Sequence, residues 1–261
     1  MIKLGICTDI ANIGIVEKIG YDYMETGLAA LAALSEQEYA AALAKVANAG
    51  IKVEACNGML PAEVRVTGPD VSAQKIHDYL EHAFSRASKL GVEVVVFGSA
   101  GARNVPEGFD IGQAWRQISN FLRLAQTHAQ KYNITIAIEP LRRGESNIIN
   151  LVSEAVALSA LLQLPNVKAL GDTYHMAMCS EPLSALTTAG SLLAHVHTAN
   201  ALGRILPKEG DGENYMGMFK ALKAGGYEGR MSCEAGCKDF VTDAQAAFNV
   251  LDKCRRAVYN N

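Results

Sequence analysis

Eight short apolar runs, each followed by a stretch with helical spacing, divide this chain from one end to the other. The runs cover 2–8, 21–26, 52–57, 92–98, 134–140, 168–173, 194–199 and 230–235. Val92-Glu93-Val94-Val95-Val96-Phe97 and Ile134-Thr135-Ile136-Ala137-Ile138 are β-branched and almost continuously apolar, as strands covered on both faces must be. Between the runs, Ser35-Glu36-Gln37-Glu38 is a capping box opening an Ala-rich helix that ends near Gly50. Val71 to Leu90 and Ile111 to Lys131 repeat apolar residues every three or four positions, and further helices fit about 152–162, 214–225 and 241–257. Regular alternation of this kind requires parallel strands joined by right-handed crossovers. Eight units of it close on themselves, and 261 residues match the roughly 250 that such a closed fold uses. The expected architecture is therefore a single α/β domain over 1–261, a (β/α)8 TIM barrel. The segment Ala100 to Asp110, rich in Gly and Pro, is expected as a loop at the barrel mouth.

Composition narrows the function classes. The formal net charge is -3 and no basic block occurs, which argues against a nucleic-acid partner. Hydrophobic residues make up 49% and charged ones 20%, yet no apolar run approaches the roughly 20 residues of a membrane span. Met1-Ile2-Lys3-Leu4-Gly5-Ile6 reads as a first strand and not as a signal peptide, so a cytoplasmic protein is expected. A homodimer or homotetramer stays open. None of the six cysteines forms a Cys-x-x-Cys pair; Cys233 and Cys237 are four apart with no second pair to complete a zinc site. Reduced, mostly buried thiols are expected.

Four strand ends carry the chemistry. Ile138-Glu139-Pro140-Leu141, Gly171-Asp172-Thr173-Tyr174-His175, His195-Val196-His197 and Ser232-Cys233-Glu234 each deliver a carboxylate or an imidazole at the C-terminal end of an apolar run. In a parallel barrel those ends share one mouth. Glu139 and Glu234 have the inward parity of Ala137 and Ser232. They should face each other across the cavity, with Asp172 and His197 filling the arc. Three carboxylates and one histidine suit a borderline-to-hard divalent ion such as Mn²⁺, Co²⁺ or Mg²⁺, with Zn²⁺ also open. The competing reading makes each acid a helix N-cap or loop ion-pair residue. His195 is read as a hydrogen-bonded residue deeper in the barrel, His77, His82 and His128 as surface residues, and Trp115 and the methionines as packing groups. His175 can meet a substrate hydroxyl or cap backbone groups. Glu145 can act on substrate or pair with Arg142 or Arg143. Arg103, after the Gly-rich Phe97-Gly98-Ser99-Ala100-Gly101-Ala102, can bind a substrate oxygen or phosphate or form a loop salt bridge.

Taken with Asn150 and the run Gly226-Tyr227-Glu228-Gly229-Arg230-Met231-Ser232-Cys233-Glu234, these motifs resemble the sugar isomerase/epimerase family with a xylose isomerase-like barrel, nearest to the ketose 3-epimerases acting on D-tagatose and D-psicose. The resemblance spans essentially the whole chain. It implies one Mn²⁺- or Co²⁺-type ion held by Glu139, Asp172, His197 and Glu234, with the two glutamates doubling as acid and base. It also implies substrate contacts at Glu145 and His175. The family carries an arginine six residues after the metal histidine; here that place is Gly203, and Arg204 follows one later. Arg142-Arg143 stands where relatives often have Asn-Arg.

The implied reaction is epimerisation of a small ketose or keto-sugar. One glutamate removes a proton next to the carbonyl, the ion stabilises the enediolate, and the other glutamate returns a proton to the opposite face. Aldose–ketose isomerisation and dehydration of a keto-cyclitol share that intermediate and are the alternatives. A nuclease like endonuclease IV, which needs three zinc ions and further histidines, and a non-catalytic sugar-binding protein are more remote. Strands three and four end in Glu54-Ala55-Cys56-Asn57 and Phe97-Gly98-Ser99, without a histidine.

Overall fold

In a computed structural model that describes residues 1–260, eight parallel strands close into a barrel in chain order. They are β1 (Lys3–Cys7), β2 (Tyr23–Gly27), β3 (Val53–Asn57), β4 (Val94–Phe97), β5 (Thr135–Ile138), β6 (Val167–Asp172), β7 (Leu193–Thr198) and β8 (Arg230–Cys233). Each falls inside or within a residue of the run expected for it. The helices are α1 (Ile13–Ile19), α2 (Leu28–Ala33), α3 (Glu36–Ala47), α4 (Ala73–Leu90), α5 (Ala100–Arg103), α6 (Ile111–Tyr132), α7 (Val152–Leu162), α8 (Thr173–Met178), α9 (Ser184–Ala189), α10 (Tyr215–Ala224) and α11 (Phe240–Tyr259). Among the described residues no helix is long and apolar enough to cross a membrane.

Local chemistry sets the helix ends. Ser35 and Glu38 form the reciprocal box that opens α3. Ser72 accepts from Lys75 N to start α4, and Asp110 accepts from Gln113 N to start α6. Helix α4 stops at Gly91, whose φ of 94° is a left-handed value that glycine adopts without penalty. The segment 100–110 differs from the loop expected of it. Its first residues form the single turn α5, closed by Arg103 N donating to Ser99 O at 3.1 Å and Asn104 N to Ala100 O at 2.9 Å. One helical turn is too short for periodicity to reveal.

Inside the barrel the side chains lie in layers. At the N-terminal end an ion cluster fills the bottom: Lys3 Nζ and Arg230 Nε reach Glu54 at 2.8 and 2.5 Å, and Arg230 Nη2 reaches Glu93 at 2.7 Å. Above it lies an apolar layer of Tyr23, Ala55, Val94, Val96, Ala137 and Leu170. Tyr23 is the largest of these, and its hydroxyl bonds Ser232 Oγ at 2.7 Å. Gly5 makes room for that ring, because a Cβ there would run into it. A third layer, at the C-terminal end, is polar and faces the mouth.

One correction belongs to the outer shell. His128, expected on the surface, is buried. It lies on the stripe of α6 that carries Phe121, Leu122 and Ala125, and its ring reaches His77 Nδ1 at 3.1 Å and Glu81 at 3.2 Å on α4. His77 and His82 are exposed as expected. All six cysteines are free thiols; Cys56, Cys233 and Cys254 are buried, and Cys237 is exposed.

The layered interior yields a stability test. Gly5→Ala forces Tyr23 out of its place and should lower the unfolding free energy by about 1–3 kcal/mol, the range for overpacked cores. Urea denaturation followed by circular dichroism would measure it, and an unchanged midpoint would mean that the Tyr23 ring is not held against β1.

Candidate active site

The polar layer is built by parity. Side chains alternate along a strand, so the inward set of the layer below is repeated two residues later. Tyr23 is followed by Glu25, Ala55 by Asn57, Ala137 by Glu139, Leu170 by Asp172, His195 by His197 and Ser232 by Glu234. The register of β6 on β7 sets Asp172 beside His197, and that of β7 on β8 sets His197 beside Ser232. Glu139, Asp172, His197 and Glu234 thus meet: one donor atom from each lies within 4.8 Å of all the others. Gly98 on the neighbouring strand end leaves the space that Glu139 Oε2 enters.

Asp172 caps a helix, one of the readings the sequence left open, and also stands in the cluster. Its Oδ1 caps α8, accepting from Tyr174 N at 2.7 Å and His175 N at 3.1 Å. Its Oδ2 is directed to the cluster side, 3.7 Å from His175 Nε2. His175 Nδ1 accepts from the Arg142 backbone N–H at 3.1 Å. The ring proton is therefore on Nε2, on the side of Asp172 and Arg204. Burial and the Arg204 charge push this imidazole down to about 3, so it is neutral.

Arg204 comes to the cluster despite the shift from the family spacing. Gly203 and Arg204 both adopt left-handed backbone, with φ of 90° and 48°, and the loop is pinned by Asn200 N donating to Ile205 O and Gly236 N to Arg204 O, both at 2.9 Å. The guanidinium lies over the Tyr174 ring at 4.7 Å and meets Glu234 Oε2 at 2.8 Å. Glu145 is paired with Arg142 at 2.7 Å and with Arg204 at 3.4 Å, so the pairing role and a position at the mouth coincide. Arg103 differs from expectation. It is fully buried, stacked over the Phe97 ring and donating to Phe97 O at 2.8 Å and Ile149 O at 3.2 Å. It binds backbone carbonyls and reaches neither solvent nor a loop acid.

Two residues of this layer carried no assignment from the sequence. Glu25 is completely buried and reaches both histidines of β7, His195 Nε2 at 2.8 Å and His197 Nε2 at 3.0 Å. Asn57 Nδ2 donates to Glu234 Oε1 at 2.6 Å. The signal was present: an acid two residues after Tyr23 in an apolar strand has the same parity logic as Glu139 after Ala137. His195 is the buried, hydrogen-bonded residue expected.

Electrostatics test whether the cluster fits a cation. Burial raises Glu139, and the Glu234 charge adds to it. Burial and the Glu139 charge push Asp172 up to about 7. Burial alone would raise Glu234 too, but the charges of His197 and Arg204 and the Asn57 amide hold it at about 2. Burial disfavours a charge on His197, yet Glu25 and Glu234 outweigh it and keep its pKa well above the usual imidazole value. Three crowded carboxylates, Glu139 and Asp172 buried and Glu234 half-buried, with too little positive charge are what a divalent ion relieves, and oxygen donors with one imidazole match its coordination chemistry. The donor set fits. Beside it lies a cavity of about 550 Å³ bordered by Cys7, Asn57, Arg204 and Glu234. That is within the size range of small-molecule sites.

Comparison with known proteins agrees with this architecture. D-psicose 3-epimerase of Agrobacterium fabrum is 26% identical over 199 residues, covering 73% of this chain and 67% of that protein. D-psicose 3-epimerase of Ruminiclostridium cellulolyticum is 26% identical over 223 residues, covering 84% of this chain and 75% of that protein. Among solved structures, 3-keto-D-glucoside 4-epimerase from E. coli superposes with a TM-score of 0.81 at 20% identity over 98% of this chain and 99% of that one, a likeness of fold. The sequence profile of the family described as "Xylose isomerase-like TIM barrel" matches residues 13–254, and the chain belongs to that family.

Proposed function

We propose that this chain is an isomerase, a divalent-metal-dependent epimerase of a small ketose or keto-sugar. The observation that carries the proposal is a pair of glutamates, Glu139 buried and Glu234 half-buried, that meet at one ring atom of His197. The Nδ1 of His197 lies 3.0 Å from Glu139 Oε1 and 3.4 Å from Glu234 Oε2, and the mouth cavity opens beside Glu234. The curated relatives are named as 3-epimerases of a ketose, which supports the same class of substrate.

Glu139, Asp172, His197 and Glu234 would hold the ion. It would supply positive charge where negative charge gathers as a carbon-bound proton leaves. The protein's own groups do the rest. One glutamate takes the proton from the carbon next to the carbonyl. The other delivers a proton to the opposite face of the planar carbon, and the configuration inverts. Two carboxylates across one carbon are what inversion by proton transfer needs. The reaction is reversible, so acid and base exchange roles with direction. Neutral His175 offers Nε2–H to a sugar oxygen, and Arg204 and Glu145 orient the hydroxyls further out. Aldose–ketose isomerisation begins with the same proton abstraction and differs in which atom is reprotonated. The earlier histidines, His77, His82 and His128, are on the outer helices α4 and α6, and Asn57 is bonded to Glu234, which weighs against the nuclease alternative.

A screen of ketoses and ketose phosphates with Mn²⁺ or Co²⁺, with products resolved by sugar chromatography, tests the class of reaction. Product inverted at one carbon supports it, and an aldose product would transfer the assignment to isomerisation. In D₂O the inverted carbon should carry deuterium, because carboxylates at an open mouth exchange protons with water between turnovers. Unlabelled product at early turnover would mean that hydrogen moves by a hydride shift.

Two substitutions separate chemistry from binding. Glu139→Gln should keep the fold by circular dichroism and reduce kcat by roughly 10²-fold or more, the scale of general acid–base contributions; near-normal turnover would remove Glu139 from the acid/base pair. Arg204→Ala should raise KM by about tenfold while changing kcat less, as expected for one charged hydrogen bond to bound sugar. An unchanged KM would mean that Arg204 serves only to pair Glu234.

A further inference from the structure

Glu25 is a fully buried carboxylate that takes no part in the proton transfers. Its two oxygens are divided between two rings: Oε1 is 3.0 Å from His197 Nε2 and Oε2 is 2.8 Å from His195 Nε2. These are direct hydrogen-bond lengths, with no room for an ion between the groups. A carboxylate only accepts, so each ring donates through Nε2. For His195 this leaves Nδ1 as a bare lone pair, and that atom is one of the few buried polar atoms without a partner among the described residues. The opposite tautomer would bury an N–H with nowhere to donate, which is the costlier fault. For His197 the same bond leaves Nδ1 as the atom that faces Glu139 and Glu234. The two rings are packed edge to face, 4.9 Å apart at 80°, so neither can turn independently.

We propose that Glu25 is the positioning residue of this site: with His195 holding its second oxygen, it fixes the ring and tautomer of His197 so that Nδ1 is the atom offered to the ion. The proposal rests on the reading that Glu139, Asp172, His197 and Glu234 hold a divalent ion. Glu25 itself touches neither the ion nor the sugar. Carboxylates that orient a metal-binding imidazole in this way usually change metal affinity by about 10- to 100-fold when removed.

Glu25→Gln tests this, because the amide keeps the volume but presents one NH2 group that cannot accept from Nε2–H. Titration of ion-free protein with Mn²⁺ by calorimetry should give one site in the wild type and about 10- to 100-fold weaker binding in the variant. Equal affinity in the two proteins would overturn the role of Glu25 while leaving the metal reading intact. A wild type that binds no Mn²⁺ would overturn the metal reading, and the role of Glu25 with it. A second measurement needs no variant and reads the tautomer itself. In ¹⁵N spectra of histidine-labelled wild type loaded with Mg²⁺, His197 should carry its proton on Nε2, slow to exchange with water, and none on Nδ1. A bare Nε2 would overturn the proposal even if the variant failed to fold.

Discussion

Glu139, Asp172 and Glu234 crowd three carboxylates into one polar layer, and the mouth of the barrel is organised around their repulsion. The neighbouring strands β2 and β3 supply partners, Asn57 for Glu234 and Glu25 for His197. The long loop after β7 brings Arg204 over Tyr174 to neutralise one carboxylate. The cap of α8 takes one oxygen of Asp172. What these contacts leave uncompensated is centred between Glu139, Asp172 and His197, where a divalent ion would complete the balance. The layer beneath is closed by Tyr23 and small or aliphatic side chains, so water reaches the cluster from the mouth alone.

Most of the fold was legible because barrel strands are covered on both faces. That requirement produces unbroken apolar runs, and an acid at the end of such a run is conspicuous. Glu139, Asp172 and Glu234 stand at such ends, with the imidazole of His197, and the barrel brings the four together. Glu25 obeys the same parity but lies inside its strand, and its partners come 170 and 172 residues later, a pairing that only the closed sheet creates. The short helices α5, α8 and α9 are one to two turns long and are fixed by neighbours, not by their own periodicity. Arg103 and His128 were misread for a common reason. Polar residues in a loop or on an outer helix are usually solvated, but here Arg103 finds backbone carbonyls and His128 finds His77 and Glu81 inside the helix layer.

The spacing around Arg204 shows how geometry can absorb a shift in sequence. An arginine displaced by one residue would ordinarily point the other way. Two consecutive left-handed residues, Gly203 and Arg204, reverse the chain, and backbone bonds donated by Asn200 N to Ile205 O and by Gly236 N to Arg204 O hold the turned loop. The guanidinium then reaches the same carboxylate cluster. Arg142 is used differently from a substrate contact: it pairs with Glu145, and its backbone N–H sets the tautomer of His175.

The central claim is that one ion and two flanking glutamates share a single sugar carbon. A crystal of the protein grown with Mn²⁺ and a ketose, measured at the manganese absorption edge, tests this most directly. The account predicts one anomalous peak at the mouth, with carboxylate oxygens of Glu139, Asp172 and Glu234 and a nitrogen of His197 at coordination distances of about 2.0–2.6 Å. It also predicts one sugar carbon lying between the two glutamates. An ion held by any other set of side chains, or a sugar bound with both glutamates on one face of the carbon, would contradict it.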